Sequence, residues 1–143
     1  MFENYTTKAQ RVIFTARYEV SQYGAPAIET EHLLLGLLRE DNSILPRFFP
    51  AQPSVDFIRQ QIEERVKIRE FIPTSIEIPL SAESQNVLKY AAEEANSLAE
   101  RSIESDHLLL GLLREENSLA AKIMRENGVE YSVVRKKLEN DAR

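Results

Sequence analysis

Two hydroxyl side chains and two carboxylates occupy positions where they could bind a charged ligand. Thr6 and Ser81 begin or precede a predicted helix, and Glu31 and Asp106 lie in the first turn of another. A helix N-terminus with a hydroxyl group favours anions, and a carboxylate close to it could bind a guanidinium group. Each pair could therefore hold one ligand side chain that carries both charges. The alternative is that all four residues only cap helices.

The candidate residues come in pairs because the chain contains an internal repeat. Residues 28–43, IETEHLLLGLLREDNS, recur at 103–118 as IESDHLLLGLLREENS, with thirteen identical positions. The same spacing of 75 residues separates His32 from His107. Two repeats are too few for an open solenoid, so we expect the halves to pack as a closed pair with pseudo-twofold symmetry. A site built in one half should have a twin in the other.

His32 and His107 are the only histidines and occupy equivalent positions. A metal or catalytic role would need partners that no spacing in this chain supplies. A structural role is favoured, in which each imidazole packs in its helix and hydrogen-bonds a neighbouring backbone group. The chain also has no cysteine, no phosphate-binding glycine loop and no nucleophile elbow. We therefore expect no enzyme activity, no catalytic or metal site and no cofactor.

Apolar residues at steps of three and four predict an all-helical chain. Thr7 with Gln10 predicts a capping box for the first helix, and Thr30 and Ser105 are the predicted N-caps of the two leucine-rich helices. Gly36 and Gly111 should let a neighbouring helix approach closely. The predicted helices are 7–23, 30–40, 54–69, 81–98, 105–115, 118–127 and 131–140, with a further short helix before residue 54.

The third helix is where the two halves differ most. In the first half, residues 44–53 contain three prolines. Proline inside a helix removes a hydrogen bond and clashes with the preceding turn, so this helix should be short or irregular. Phe48 and Phe49 could fill the core there or stand exposed. Residues 71–80, between the halves, are predicted to be an extended connector without a sheet.

Composition limits the possible partners. The chain has 143 residues, 18 basic and 23 acidic side chains and a net charge of -5. These values disfavour a nucleic-acid or anionic-membrane surface, and no apolar segment has the length to span a bilayer. The absence of cysteine is compatible with a reducing, cytoplasmic location. The predicted organisation is one domain, 1–143, with repeat 1 at about 1–70, a connector at about 71–80 and repeat 2 at about 81–143.

Four segments of the chain together resemble the Clp N-terminal repeat domain, closest to the ClpC and ClpA type. This domain stands at the front of Clp unfoldases and also occurs as a stand-alone protein. Two copies of a TEHLLLGLL-like box make the resemblance specific, and it covers nearly the whole chain. The segments are YTTKAQRVIFTA at 5–16, TEHLLLGLLRE at 30–40, SDHLLLGLLREENSLAAKIM at 105–124 and GVEYSVVRKKL at 128–138.

The resemblance implies eight helices in two four-helix pseudo-repeats, and a domain that recruits protein substrates and adaptors to ATPase rings. It also implies one phosphoarginine site per repeat, where a hydroxyl contacts the phosphate and a glutamate holds the guanidinium. The matching residues are Thr6 and Glu31 in the first repeat, and Ser81 and Asp106 in the second. Asp106 is one methylene shorter than the usual glutamate, and the proline-rich segment departs from the family pattern.

Three functions are compatible with these observations. The first is a recognition domain of a Clp-type protein-degradation system, with the ATPase rings in cis or in trans. The second is a stand-alone accessory protein that stabilises or regulates a Clp assembly. The third is an unrelated small enzyme that uses Glu31 and His32, which has little support in the sequence.

Overall fold

Eight α-helices form in the computed structural model of the protein, which describes residues 2–141. They are α1 (Thr7–Tyr23), α2 (Thr30–Glu40), α3 (Ile44–Phe48), α4 (Val55–Glu63), α5 (Ala82–Ser97), α6 (Ser105–Arg114), α7 (Leu119–Glu126) and α8 (Tyr131–Asp141). The all-α fold predicted from the sequence is confirmed. Among residues 2–141, no helix is long and apolar enough to cross a membrane.

The two leucine-rich helices, α2 and α6, form the centre of the fold. Residues 32–38 of α2 and 107–113 of α6 are all buried. The two helices contact each other, and each also packs on the long first helix of its own repeat, α1 or α5. Burial on all sides explains why leucine occupies nearly every position of these short helices.

Two isolated backbone bridges join the repeats reciprocally. Tyr5, before α1, pairs with Ile103, before α6, and Leu80, before α5, pairs with Ile28, before α2. Both bridges are parallel, and within the described chain they are the only bridges. They relate equivalent residues of the two halves, as the pseudo-twofold symmetry of a closed pair requires. No sheet forms in the connector, as expected.

The N-cap residues of α1, α2 and α6 differ from those predicted from the sequence. The predicted Thr7–Gln10 capping box is wrong: Thr6 is the N-cap of α1, and its hydroxyl accepts a hydrogen bond from the N–H of Ala9 at 3.2 Å. Thr30 and Ser105 are also not N-caps but the first residues of their helices. The N-caps lie one residue earlier because histidine, three positions on, completes the capping box with a glutamate.

The third and fourth helices of the first repeat are both short, and only the fourth is shorter than its sequence pattern predicts. α3 has five residues, as its prolines predict, and Phe48 and Phe49 are both buried in the core. α4 ends at Glu63, so the prediction of a helix to residue 69 is wrong. The chain leaves the helix because the N–H of Arg69 donates to the carbonyl of Tyr23, at the end of α1, at 2.9 Å.

Each repeat contains a buried glutamate that binds two arginines, at nitrogen-to-oxygen distances of 2.6–3.1 Å. These clusters tie the fourth helix of each repeat to its first two helices. Burial would raise the pKa of Glu19, but hydrogen bonds from the two arginines outweigh it and hold this pKa below its usual value. The clusters are Glu19 with Arg39 and Arg59, and Glu94 with Arg114 and Arg135.

Gly36 and Gly111 mark the closest helix contacts, as predicted. A Cβ atom added to Gly36 would lie 2.5 Å from the carbonyl oxygen of Val12, and one on Gly111 would meet the carbonyl oxygen of Val87 in the same way. These neighbours are backbone atoms, so no side-chain rotation relieves the clash. The glycines therefore set the spacing of α1 to α2 and of α5 to α6.

We predict that Gly111→Ala lowers the free energy of unfolding by about 1–3 kcal/mol, because α5 and α6 must move apart. Alanine also has the higher helix propensity, so the loss would come from the steric clash alone. Urea denaturation followed by circular dichroism measures the change. Lys89→Ala, on the exposed face of α5, is the control and should change this free energy by less than about 0.5 kcal/mol. Equal or higher stability of Gly111→Ala would contradict the close-contact argument.

Candidate functional site

The structure groups the four candidate residues across the repeats rather than within each. The N–H of Thr6 donates to the carbonyl of Ile103 at 3.0 Å, and Thr6 and Asp106 line the same cavity. Reciprocally, the N–H of Ser81 donates to the carbonyl of Ile28 at 3.0 Å, three residues before Glu31. The resemblance had paired Thr6 with Glu31 and Ser81 with Asp106. The exchange of partners follows from the two reciprocal backbone bridges.

We name the two places by their carboxylates. The Asp106 site comprises Thr6 and Asp106, and the Glu31 site comprises Ser81 and Glu31. In each, the first helix of one repeat begins beside the second helix of the other repeat. The hydroxyls also cap their helices, since that of Ser81 accepts from the N–H of Ser84 at 3.1 Å, as Thr6 does at α1. The capping role is therefore real in both sites, and it leaves the other first-turn N–H groups without a partner within the helix.

The Asp106 site is an open cavity of about 580 Å³ at the junction of the repeats. Thr6 and Lys8, at the start of α1, line it together with the acidic residues Glu40, Asp41 and Glu104. The hydroxyl, the cation and the helix N-terminus favour an anion, and the acidic residues of the lining oppose it. The first turn of α1 itself contains no acidic residue.

Arg47 of α3 already binds the Asp106 carboxylate. Its two terminal nitrogens donate to the two carboxylate oxygens at 3.0 and 3.1 Å, a bidentate arrangement. The guanidinium also lies 4.6 Å from the centre of the Phe48 ring. The sequence analysis missed this residue, because the proline-rich segment around it departs from the repeat pattern. The available signal was its position, which is equivalent to Lys122 in the second repeat.

The Glu31 site has a carboxylate without a cationic partner. Among residues 2–141, no Lys, Arg or His forms a salt bridge with Glu31, and Lys122 is exposed and forms none either. Burial raises the pKa of Glu31 to about 7, and the nearby carboxylates of Glu29 and Glu83 add to the shift. Glu83 stands where the other site has Lys8. The two sites therefore occupy equivalent positions in the repeats and differ in their electrostatics.

The histidines beside the two sites are structural, as predicted. The Nδ1 of His32 accepts from the N–H of Glu29, and that of His107 from the N–H of Glu104, both at 2.9 Å. Burial lowers the pKa of His32 to about 4 and lowers that of His107, so each ring stays neutral and can accept. In the part of the chain that the structure describes, no group of three acidic or histidine side chains could hold a metal ion.

The family of the chain follows from comparison with known proteins. Residues 4–75 and 79–143 each match the model of the Clp repeat (R) N-terminal domain. The chain belongs to this family. Its two matched segments correspond to the two halves of the fold, and the family predicted from the sequence is confirmed.

Named relatives and a solved structure agree with this assignment. The chain is 35% identical over 136 residues to the chloroplastic chaperone protein ClpC1 of Arabidopsis thaliana, and equally to the chloroplastic ClpA homologue, an ATP-binding subunit of the ATP-dependent Clp protease, of Brassica napus. These matches cover 94% of this Clp N-terminal domain but 14% and 15% of the relatives. The N-terminal domain of ClpD from Arabidopsis thaliana has the same fold, with a TM-score of 0.76 and 22% identity over 99% of this chain and 96% of that one.

We predict that the stability of the domain depends on pH through Glu31. The pKa of Glu31 is about 7 in the folded state, above the unfolded value of 4.5. The contribution of Glu31 to the free energy of unfolding is therefore complete below pH 4.5 and is lost as the pH rises through 7. Glu31→Gln should therefore gain stability relative to the wild type between pH 5 and pH 8. Urea denaturation at both pH values measures the difference. Glu77→Gln, in the exposed connector, shows the effect of removing one surface carboxylate, and an equal response of both variants would refute the prediction.

Proposed function

We propose that this Clp N-terminal domain recruits protein substrates and adaptors to a Clp-type ATP-dependent unfolding and degradation machine. The names of its relatives, a chaperone and an ATP-binding subunit of a protease, support this proposal. The ATPase ring that the domain would serve, in cis or in trans, is part of the proposal, because the chain spans only 14–15% of those relatives. The cytoplasmic location is also part of the proposal, because the relatives named above are chloroplastic.

The narrower proposal is that the domain binds phosphoarginine, the side chain that combines a phosphoryl anion with a guanidinium group. One observation carries it: Glu31 is a half-buried carboxylate with no cationic partner among the described residues, beside the N-terminus of a 16-residue helix. Its equivalent, Asp106, binds the guanidinium of Arg47 with bidentate geometry. The protein thus contains its own example of guanidinium binding at this position of the repeat.

The chemistry of binding follows from the two groups of the Glu31 site. The Glu31 carboxylate would accept hydrogen bonds from the ligand guanidinium, and the positive charge would favour its ionised form. The first N–H groups of α5 would donate to the phosphoryl oxygens, and so would the Ser81 hydroxyl, which in the ligand-free structure donates to the Ser84 hydroxyl at 3.1 Å. Glu83 opposes the phosphoryl charge, so the guanidinium contact must supply much of the affinity at this site.

We predict that Glu31→Gln weakens phosphoarginine binding by about thirtyfold, because a neutral amide replaces a charged acceptor, a loss of about 2 kcal/mol. Isothermal titration calorimetry at pH 8 with free phosphoarginine measures the dissociation constant, with arginine and phosphoserine as ligand controls. Glu77→Gln serves as the protein control and should bind as the wild type does. Unchanged binding by Glu31→Gln would remove Glu31 from the site, and no heat with the wild type would refute phosphoarginine recognition.

The alternative function is that of an accessory protein, in which the same domain is a separate chain from the ATPase ring. A stand-alone domain would bind a separate ring in trans. Size-exclusion chromatography of the domain with a purified Clp ATPase ring distinguishes the two, since co-elution is expected only for an accessory protein that binds the ring directly.

A further inference from the structure

The salt bridge between Arg47 and Asp106 makes the two candidate sites inequivalent. Arg47 presents the flat, forked group that a ligand arginine would present, and it does so to both oxygens of the carboxylate. Its side chain is 31% exposed and that of Asp106 is 20% exposed, so the contact lies within the open cavity rather than in the core. A ligand guanidinium would need the same two oxygens.

Several contacts hold Arg47 in this place. The neighbouring rings of Phe48 and Phe49 are buried and anchor α3 in the core. The ammonium group of Lys137, on α8, donates to the carbonyl of Arg47 at 2.9 Å. Asp41, just before α3, accepts a hydrogen bond from the hydroxyl of Ser105 on α6. Because α3 is fixed to both repeats, the Arg47 guanidinium is tethered beside Asp106 at a high effective concentration.

The equivalent residue of the other repeat does not act in this way. Lys122 lies on the exposed side of α7, and within residues 2–141 it contacts no carboxylate. Lysine also lacks the planar fork that binds both oxygens of a carboxylate. Glu31 therefore keeps its carboxylate available, while Asp106 does not.

We infer that Arg47 occupies the guanidinium subsite of the Asp106 site, so the domain binds one phosphoarginine side chain, at the Glu31 site. This inference rests on the proposed function and concerns the number of working sites. Arg47 would then determine how many phosphoarginine side chains one domain binds. Removing the Arg47 side chain exposes a second site, in which Asp106 would hold the guanidinium and Thr6 and Lys8 the phosphoryl group.

The test is the stoichiometry of phosphoarginine binding by calorimetry at pH 8. We expect one ligand per chain for the wild type and two for Arg47→Ala. Lys122→Ala is the matched control, because it removes a cation at the equivalent position, and it should still bind one ligand. The double variant Arg47→Ala, Glu31→Gln should bind one ligand at the Asp106 site and a second, at the Glu31 site, about thirtyfold more weakly than Arg47→Ala does.

A titration of the wild type also tests the inference, and its result does not depend on whether Arg47→Ala folds. Phosphoarginine titrated into ¹⁵N-labelled protein should shift the amide signals around Glu31 and Ser81 but not those around Thr6 and Asp106. Two ligands per wild-type chain, or shifts at both places, would overturn the inference and leave the proposed function standing. A folded Arg47→Ala that still binds one ligand would overturn it as well. No binding by any variant would overturn both proposals.

Discussion

The reciprocal pairing of Tyr5 with Ile103 and of Leu80 with Ile28 is the constraint on which the candidate sites depend. Each bridge places the start of a long helix from one repeat beside the leucine-rich helix of the other. Each candidate site takes its hydroxyl from one repeat and its carboxylate from the other. The candidate sites therefore form only when both repeats are folded and packed together.

The central helices can hold this arrangement because they are packed on every side. Gly36 and Gly111 let α1 and α5 approach so closely that a methyl group would not fit. Hydrogen bonds between buried polar groups also fix the orientation of the helices. The hydroxyl of Thr30 accepts from the N–H of Ala120 at 3.4 Å, which links α2 to the start of α7. Close packing and paired polar groups fix the relative position of the helices more precisely than leucine contacts alone.

The two sites show how equivalent positions diverge while the backbone stays the same. At the start of the first helix, Lys8 corresponds to Glu83. The Asp106 site thus has a cation at the start of its helix and a carboxylate bound by arginine, whereas the Glu31 site has an acidic residue there and a carboxylate with no cationic partner among residues 2–141. The raised pKa of Glu31 results from the second arrangement, because burial and negative neighbours both disfavour its charge.

The sequence by itself determined the repeat, the helices, the family and the short third helix, because periodicity, proline and repeated motifs act within each segment. It also predicted the close approach at Gly36 and the structural role of His32. Only the tertiary structure decided the end of α4, which depends on a hydrogen bond from Arg69 to the end of α1, and the pairing of Thr6 with Asp106. It alone revealed Arg47, 59 residues from its partner. Such contacts depend on how helices pack, and a helical pattern records only which face of each helix is buried.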